Sequence, residues 1–160
     1  MIRHAGLVAD RIDGRWRGVL IEGPSASGKS DLALRAIAMG LRLVADDRTE
    51  VFASGGRLFG KAPASISGLI EARGVGIARI NALEFAEIIL IVRCSGREVI
   101  ERMPENRREL VCGVDLPVLS IWPFEASAQH KMILALEHLG VRPHREYQAR
   151  FATPDGCARP

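Results

Sequence analysis

Gly18-Val19-Leu20-Ile21-Glu22-Gly23-Pro24-Ser25-Ala26-Ser27-Gly28-Lys29-Ser30 is the stretch on which the reading of this chain turns. From Gly23 to Ser30 it satisfies G-x-x-x-x-G-K-[ST], the P-loop pattern, and the flanks suit that pattern. Val19-Leu20-Ile21 is an apolar run fit for a buried strand. Asp31-Leu32-Ala33-Leu34-Arg35-Ala36-Ile37-Ala38-Met39 is built of good helix formers and stops at Gly40, a natural residue just past a helix end. The expectation is strand, glycine-bounded loop, helix. The competing explanation is a Gly/Ser-rich turn that matches by chance.

Such a loop holds a polyanion by its backbone. Gly23 and Gly28 permit dihedrals that a Cβ resists, so successive N–H groups can turn inward. The following helix adds the positive end of its dipole. Nucleotide-binding candidates are therefore Gly23, Pro24, Ser25, Ala26, Ser27, Gly28, Lys29 and Ser30. Lys29 is placed to reach the outer phosphates and the Ser30 hydroxyl to ligate Mg²⁺.

A chain of 160 residues, 48% hydrophobic and 26% charged, has the length and make-up of one ordinary globular domain. A formal charge of +3 suits a phosphorylated ligand. With no stripe of Lys and Arg interleaved with aromatics, the sequence gives no nucleic-acid footprint. Cys94, Cys112 and Cys157 lack metal-ligand spacing, and Cys94 reads as a small core residue. Reduced thiols, no apolar leader and no run long enough to span a bilayer predict a cytoplasmic protein without a membrane span.

Along the chain, Ala5 to Ala9 and Val19 to Ile21 read as strands joined at Asp13-Gly14. Leu41 to Ala45 is a further strand running into Asp46-Asp47. Glu50 to Ala53 and Arg57 to Gly60 form a hairpin, Ile66 to Ile70 a helical turn, and Gly74-Val75-Gly76-Ile77 a loop. Phe85 to Cys94 is the most strand-like segment, apolar enough for burial on both faces. Glu98 to Arg108, with Pro104, reads as exposed and partly irregular. Val114 to Ile121 carries Pro117 and reads as an edge strand. Ala126 to Leu139 is a helix with Ala128, Met132, Leu136 and Leu139 on one stripe. Residues 1–140 make one P-loop domain, and 141–160 a loose tail.

Asp46-Asp47 ends its strand on the same sheet edge as the P-loop, where ligands of open α/β sheets gather. Neighbouring strand residues point to opposite faces, so one of the two faces a nucleotide and the other orients Arg48 or a turn. A carboxylate there can hold metal through water or accept a proton from an attacking hydroxyl. Glu71 and Arg73, before Gly74 and Gly76, could serve Mg²⁺ and phosphate or form a surface ion pair.

Three strings in this order, the P-loop, then Leu43-Val44-Ala45-Asp46-Asp47-Arg48, then Leu69-Ile70-Glu71-Ala72-Arg73-Gly74-Val75-Gly76-Ile77, resemble the catalytic domain of HPr kinase/phosphorylase. That bacterial family phosphorylates a serine of HPr, the phosphocarrier of the sugar phosphotransferase system. The third string is close to the family signature L-[IL]-E-x-R-G-[LV]-G-[IL], and the likeness runs from His4 to about Gly140. The resemblance implies a single α/β P-loop domain with a central mixed β-sheet flanked by helices, like that of phosphoenolpyruvate carboxykinase.

It also implies residue roles. Gly23 to Ser30 bind the phosphates of ATP, Lys29 neutralises the transferring group, and Ser30 and Glu71 lie near Mg²⁺. Asp47 takes the proton from the HPr serine and returns it in the reverse reaction, with Asp46, Arg73, Gly74 and Gly76 in support. His4 matches a histidine of the family's first strand, and Arg102 the arginine of a D-R-[LM] segment; both join the active site. A homo-hexamer is implied too, with the Gly74 to Ile77 loop and the C-terminal helix as contact or substrate elements.

The likeness departs in places. The chain starts almost at His4, as a short form without the family's N-terminal domain. The stretch from His4 to the P-loop is a few residues longer than usual. Pro123 to Gln129 lacks the Gly-Arg pattern used for dephosphorylation, which leaves the phosphorylase activity open. The sequence thus predicts an Mg-ATP-dependent serine kinase of HPr. Two other readings of the same residues are a small-metabolite kinase, with Arg102, Arg107 and Arg108 as a lid, and a nucleotide-sensing module without turnover.

Overall fold

A computed structural model describes residues 1–140 of the chain; the tail expected over 141–160, and Cys157 with it, lies outside the described residues. The strands are β1 (Ile2–Arg3), β2 (Ala5–Ile12), β3 (Arg15–Glu22), β4 (Arg42–Ala45), β5 (Thr49–Ser54), β6 (Arg57–Lys61), β7 (Leu69–Ala72), β8 (Gly76–Arg79), β9 (Ala86–Cys94), β10 (Arg107–Val111) and β11 (Val114–Ile121). Helix α1 (Lys29–Ala38) follows β3, and α2 (Ala128–Ala135) follows β11. A π-helical turn over Leu136–Gly140 continues α2.

Nine strands form one mixed sheet: seven follow the order β1-β5-β6-β9-β3-β2-β4, and β11 branches from β9 with β10 on its other side. β3 and β9 run parallel at its centre, with Leu20 opposite Ile91 and Glu22 opposite Arg93. The far side of β9 is shared: β6 pairs with its first residues and β11 with its last. Alternation along the central strands supplies two cores. Val8, Val19, Ile21, Leu90 and Val92 pack against both α-helices through Leu32, Ala36, Ala128 and Met132. Leu7, Leu20, Ile88 and Ile91 point the other way, where Val51, Leu58, Val111 and Leu116 of the outer strands cover them. The sheet thus curls over its own second face, and the helices cover only the first.

Helix α1 buries Leu32, Ala33 and Ala36. It ends as the residue pattern predicts: Gly40 N–H donates to the Ile37 carbonyl at 2.9 Å and Leu41 N–H to that of Ala36 at 3.2 Å.

Four local readings need correction. The helical turn expected at Ile66 to Ile70 is confined to Ala64–Ile66; Leu69 and Ile70 already pair with Arg79 and Ala78 in a separate two-stranded sheet. Gly76 and Ile77, expected in a loop, open β8 of that hairpin. β11 is not an edge strand along its whole length. Pro117 sits opposite Arg108 of β10, and the parallel ladder to β9 starts one residue later at Val118, so proline ends the single-sided stretch. Finally, regular α-helix covers Ala128–Ala135 rather than all of Ala126 to Leu139. No helix among the described residues is long and apolar enough to cross a membrane.

Candidate active site

The P-loop lies between the end of β3 and the start of α1. Gly23 has φ of 156°, and a Cβ there would fall 2.5 Å from Ser27 Oγ and 3.0 Å from Cys94 Cβ, so only glycine fits the turn against β9. Gly28 precedes the helix with φ of 90°. Lys29 is 6% exposed and folds back over the loop, its Nζ donating to the carbonyls of Gly23 at 3.0 Å and Pro24 at 2.9 Å. Two carbonyl acceptors are what a buried ammonium needs in place of water.

Strand β4 delivers the paired carboxylates to the same edge. Asp46 is 5% exposed. Its Oδ1 accepts from Ser30 Oγ at 2.9 Å, and its Oδ2 accepts from the backbone N–H of Glu71 at 3.0 Å. One buried side chain therefore joins the P-loop helix to β7. This corrects the expectation that the aspartate turned away from the nucleotide orients Arg48 or a turn, because the side-chain carboxylate of Asp46 accepts from Ser30 and Glu71. Asp47 adopts φ of 63°, a left-handed conformation that Asp and Asn tolerate better than most side chains. The kink releases Asp47 from strand geometry and turns it outward, where its Oδ1 lies 2.8 Å from His4 Nε2.

His4 is placed from the opposite end of the sheet's path. β1 pairs with β5, Arg3 opposite Thr49, and Thr49 Oγ1 donates to the Ala5 carbonyl at 2.8 Å. Arg3 is held by Glu22 at 3.1 Å and Glu109 at 2.6 Å. Arg93 also pairs with Glu109 and, at 3.9 Å, with Glu22, so two arginines and two glutamates from β1, β3, β9 and β10 form one ionic cluster. Burial pushes the Glu22 carboxyl up, Arg3 draws it down, Glu109 raises it and Arg93 lowers it; the balance lies above the usual carboxylate range. Under the loop, burial drives the Cys94 thiol up to about 11, against the opposing pull of Lys29 and Ser27. Cys94 is accordingly a packed, inert side chain.

These groups line one cleft of about 540 Å³, whose walls include His4, Lys29, Ser30, Asp47, Glu71 and Arg73. Of the residues singled out in the sequence, His4, Asp47, the P-loop, Glu71 and Arg73 meet here, with Asp46 directly beneath. No ion pair joins Glu71 to Arg73 among the described residues; both face the cleft instead. Gly74 and Gly76 form the exposed tip of the β7–β8 hairpin beside it. Arg102 is not brought to this cleft. The segment joining β9 to β10 folds over α2 and β11 and leaves Arg102 on a second cavity with Leu119, Leu134 and His138. The sequence pointed to neither Phe124 nor the Arg3–Glu22 pair. Phe124, in the turn between β11 and α2, also lines the P-loop cleft although it is far from the P-loop in the chain.

The oxygen donors fit a magnesium nucleotide. Ser30 Oγ bonds the Asp46 carboxylate, and Asp47 and Glu71 line the same cleft, yet no group of three or more His, Cys, Asp or Glu among the described residues could hold a metal alone. Mg²⁺ bound to a nucleotide needs no such cage, because it takes one or two protein oxygens and completes its shell with phosphate and water.

The model of the HPr Serine kinase C-terminal domain matches residues 11–134, a span that contains the P-loop and both aspartates and starts just after His4. The HPr kinase/phosphorylase of Clostridium kluyveri is 38% identical over 105 residues, covering 65% of this chain and 34% of that protein. That of Lactobacillus acidophilus is 32% identical over 138 residues, covering 78% and 42%. The chain thus spans less than half the length of these relatives. The structure of the Hpr(Ser) kinase/phosphatase from Coxiella burnetii superposes with a TM-score of 0.71 at 25% identity, covering 94% of both chains. With its P-loop, its paired aspartates and its curled mixed sheet, the chain belongs to the HPr Serine kinase C-terminal domain family.

Proposed function

We propose that this chain transfers the terminal phosphoryl group of Mg-ATP to a serine hydroxyl of an HPr-like phosphocarrier protein. The observation that carries the reading is the meeting of His4 and Asp47, 2.8 Å apart, in the cleft that Lys29 and Ser30 line. Curated relatives named HPr kinase/phosphorylase support the choice of substrate.

Phosphoryl transfer asks a protein mainly for alignment and charge neutralisation. The inward N–H groups from Gly23 to Ser30 and the amino end of α1 hold the phosphates. Lys29 leaves its two carbonyl partners to meet the outer phosphate charge. Asp47 accepts the proton of the serine hydroxyl and becomes neutral, and His4, hydrogen-bonded to that carboxylate, holds it in position. Ser30 and Glu71 are the ligands proposed for Mg²⁺, which supplies charge neutralisation at the phosphate oxygens. Asp46 keeps Ser30 and β7 in register for that task. Arg102 has no part in this arrangement of side chains. A cytoplasmic homo-oligomer belongs to the same proposal, with sedimentation of the purified chain as its check.

The deciding experiment incubates the chain with HPr and Mg-ATP and reads phosphoserine by mass spectrometry. The wild-type chain is expected to add one phosphate to HPr and Asp47→Asn none, with nucleotide binding retained. Tight nucleotide binding without any phosphoprotein would favour a regulatory module. Transfer to a nucleoside or small acid in place of HPr would favour a metabolite kinase.

A further inference from the structure

Phe124 is an aromatic ring mounted rigidly in the P-loop cleft and left uncovered. It is 61% exposed. Its backbone is nevertheless fixed to α1 on both sides. The Arg35 guanidinium donates to the carbonyl of Pro123, to that of Glu125 at 3.4 Å and to Gln129 Oε1 at 2.7 Å. The ring edge lies against the P-loop: a Cβ on Gly28 would stand 3.2 Å from Phe124 Cε1 and Cζ. A single exposed ring is ordinary on a protein surface; this one is set apart by its place in the wall of the P-loop cleft, against Gly28 and between two carbonyls that Arg35 holds.

Its place along the cleft says what it meets. On the wheel of α1, Ser30 and Arg35 border the exposed stripe on opposite sides, with Asp31 and Leu34 between them. Ser30 bonds Asp46, which also holds the Glu71 N–H, and so marks the end of the cleft where the transferring phosphate and its metal belong. Arg35 holds the Pro123–Glu125 turn, so Phe124 stands on the Arg35 side of the cleft, whose walls also include Leu34 and Ala26. The Asp31 carboxylate near that end is engaged by Arg35 Nε at 3.0 Å. One end presents the hydroxyl of Ser30 and carboxylates, and the other is aromatic and aliphatic, as the metal-bound phosphates and the base of a nucleoside triphosphate require.

We propose that Phe124 is the platform on which the nucleobase stacks. This deepens the kinase reading and rests on it only in requiring a nucleoside triphosphate in the cleft. A ring face attracts any base through dispersion and area burial, and removing such a platform typically weakens binding by about tenfold or more.

The test is calorimetry of the full chain with two probes in Mg²⁺: the non-hydrolysable ATP analogue AMP-PNP, and inorganic tripolyphosphate, which carries the charge without a base. Wild type is expected to bind AMP-PNP at least about tenfold more tightly than tripolyphosphate. Phe124→Ala should weaken AMP-PNP by about tenfold and leave tripolyphosphate within about twofold, and Phe124→Trp should restore the difference. Because the ring is exposed, these variants should melt within a few degrees of wild type. Equal losses for both probes would mean that the ring only buttresses Gly28, and no loss for either would mean that the base lies elsewhere; each overturns the proposal. If wild type binds neither probe, the kinase reading fails as well. Phosphorylation of HPr by a Phe124→Ala chain of unchanged AMP-PNP affinity removes the platform alone.

Discussion

His4 Nε2 and Asp47 Oδ1 lie 2.8 Å apart although the residues stand at opposite ends of a strand path, one beside the amino terminus and one at the kink after β4. The contact exists because β1 pairs with β5, the strand that follows Asp47. The left-handed backbone at Asp47 then aims its carboxylate out of the sheet and toward the ring.

Asp47→Asn is therefore a clean probe of proton acceptance, since asparagine tolerates the same left-handed conformation and keeps a similar shape. Phosphoryl transfer should fall by about 10²–10⁴-fold while nucleotide affinity and stability stay near wild type. His4→Gln should cost less, because it removes a partner of the base and leaves the base itself. Steady-state transfer to HPr, with calorimetry for nucleotide, checks both. A His4 variant worse than Asp47→Asn would exchange their roles.

Asp46 is expected to matter first to stability. Its buried carboxylate satisfies both Ser30 Oγ and the Glu71 N–H, so Asp46→Ala strands two donors and should destabilise the chain by about 2–3 kcal/mol in urea unfolding. Ser30→Ala leaves Asp46 its backbone partner, so it should cost less stability and be felt chiefly in magnesium-dependent nucleotide binding. Equal stability losses would contradict this division.

Glu22 predicts a pH dependence. Burial lifts its native carboxyl above the ordinary value of 4.5. The native state then holds the proton more tightly than the unfolded chain. Glu22's contribution to stability is full below that ordinary value and is lost as pH rises through the native one. Urea midpoints of wild type measured between about pH 4 and 7 should thus fall relative to those of Glu22→Gln, which keeps an acceptor for Arg3. Parallel curves would exclude Glu22 as the source.

Cys94, raised to about 11 by burial, should resist iodoacetamide at neutral pH. In a chain carrying Cys112→Ser and Cys157→Ser, labelling should stay negligible until guanidinium is added. Fast labelling of the native chain would show that the P-loop lifts away from β9.

Much of the site was legible in the chain because its chemistry is local. The glycines, Lys29 and Ser30 are bound by the geometry of a single turn, and apolar runs such as Ile88 to Val92 give a buried strand whatever surrounds them. Pro117 misled because a strand can be single-sided for half its length and paired on both sides for the rest. Ile70 misled because a short apolar run does not distinguish a helical turn from a strand until its partner, Ala78, is known. Phe124 carried no signal at all, since its meaning lies in Gly28 and Arg35.

By itself the sequence determined the phosphate cradle, the helix after it and the order of three strings that mark the family, because each rests on backbone preferences and side chains adjacent in the chain. Tertiary structure decided which aspartate faces the cleft, that Asp46 locks Ser30 to β7, that His4 reaches Asp47, and that Arg102 does not join them. Those outcomes depend on strand pairing and on the curl of the sheet, which bring together residues that no local pattern connects.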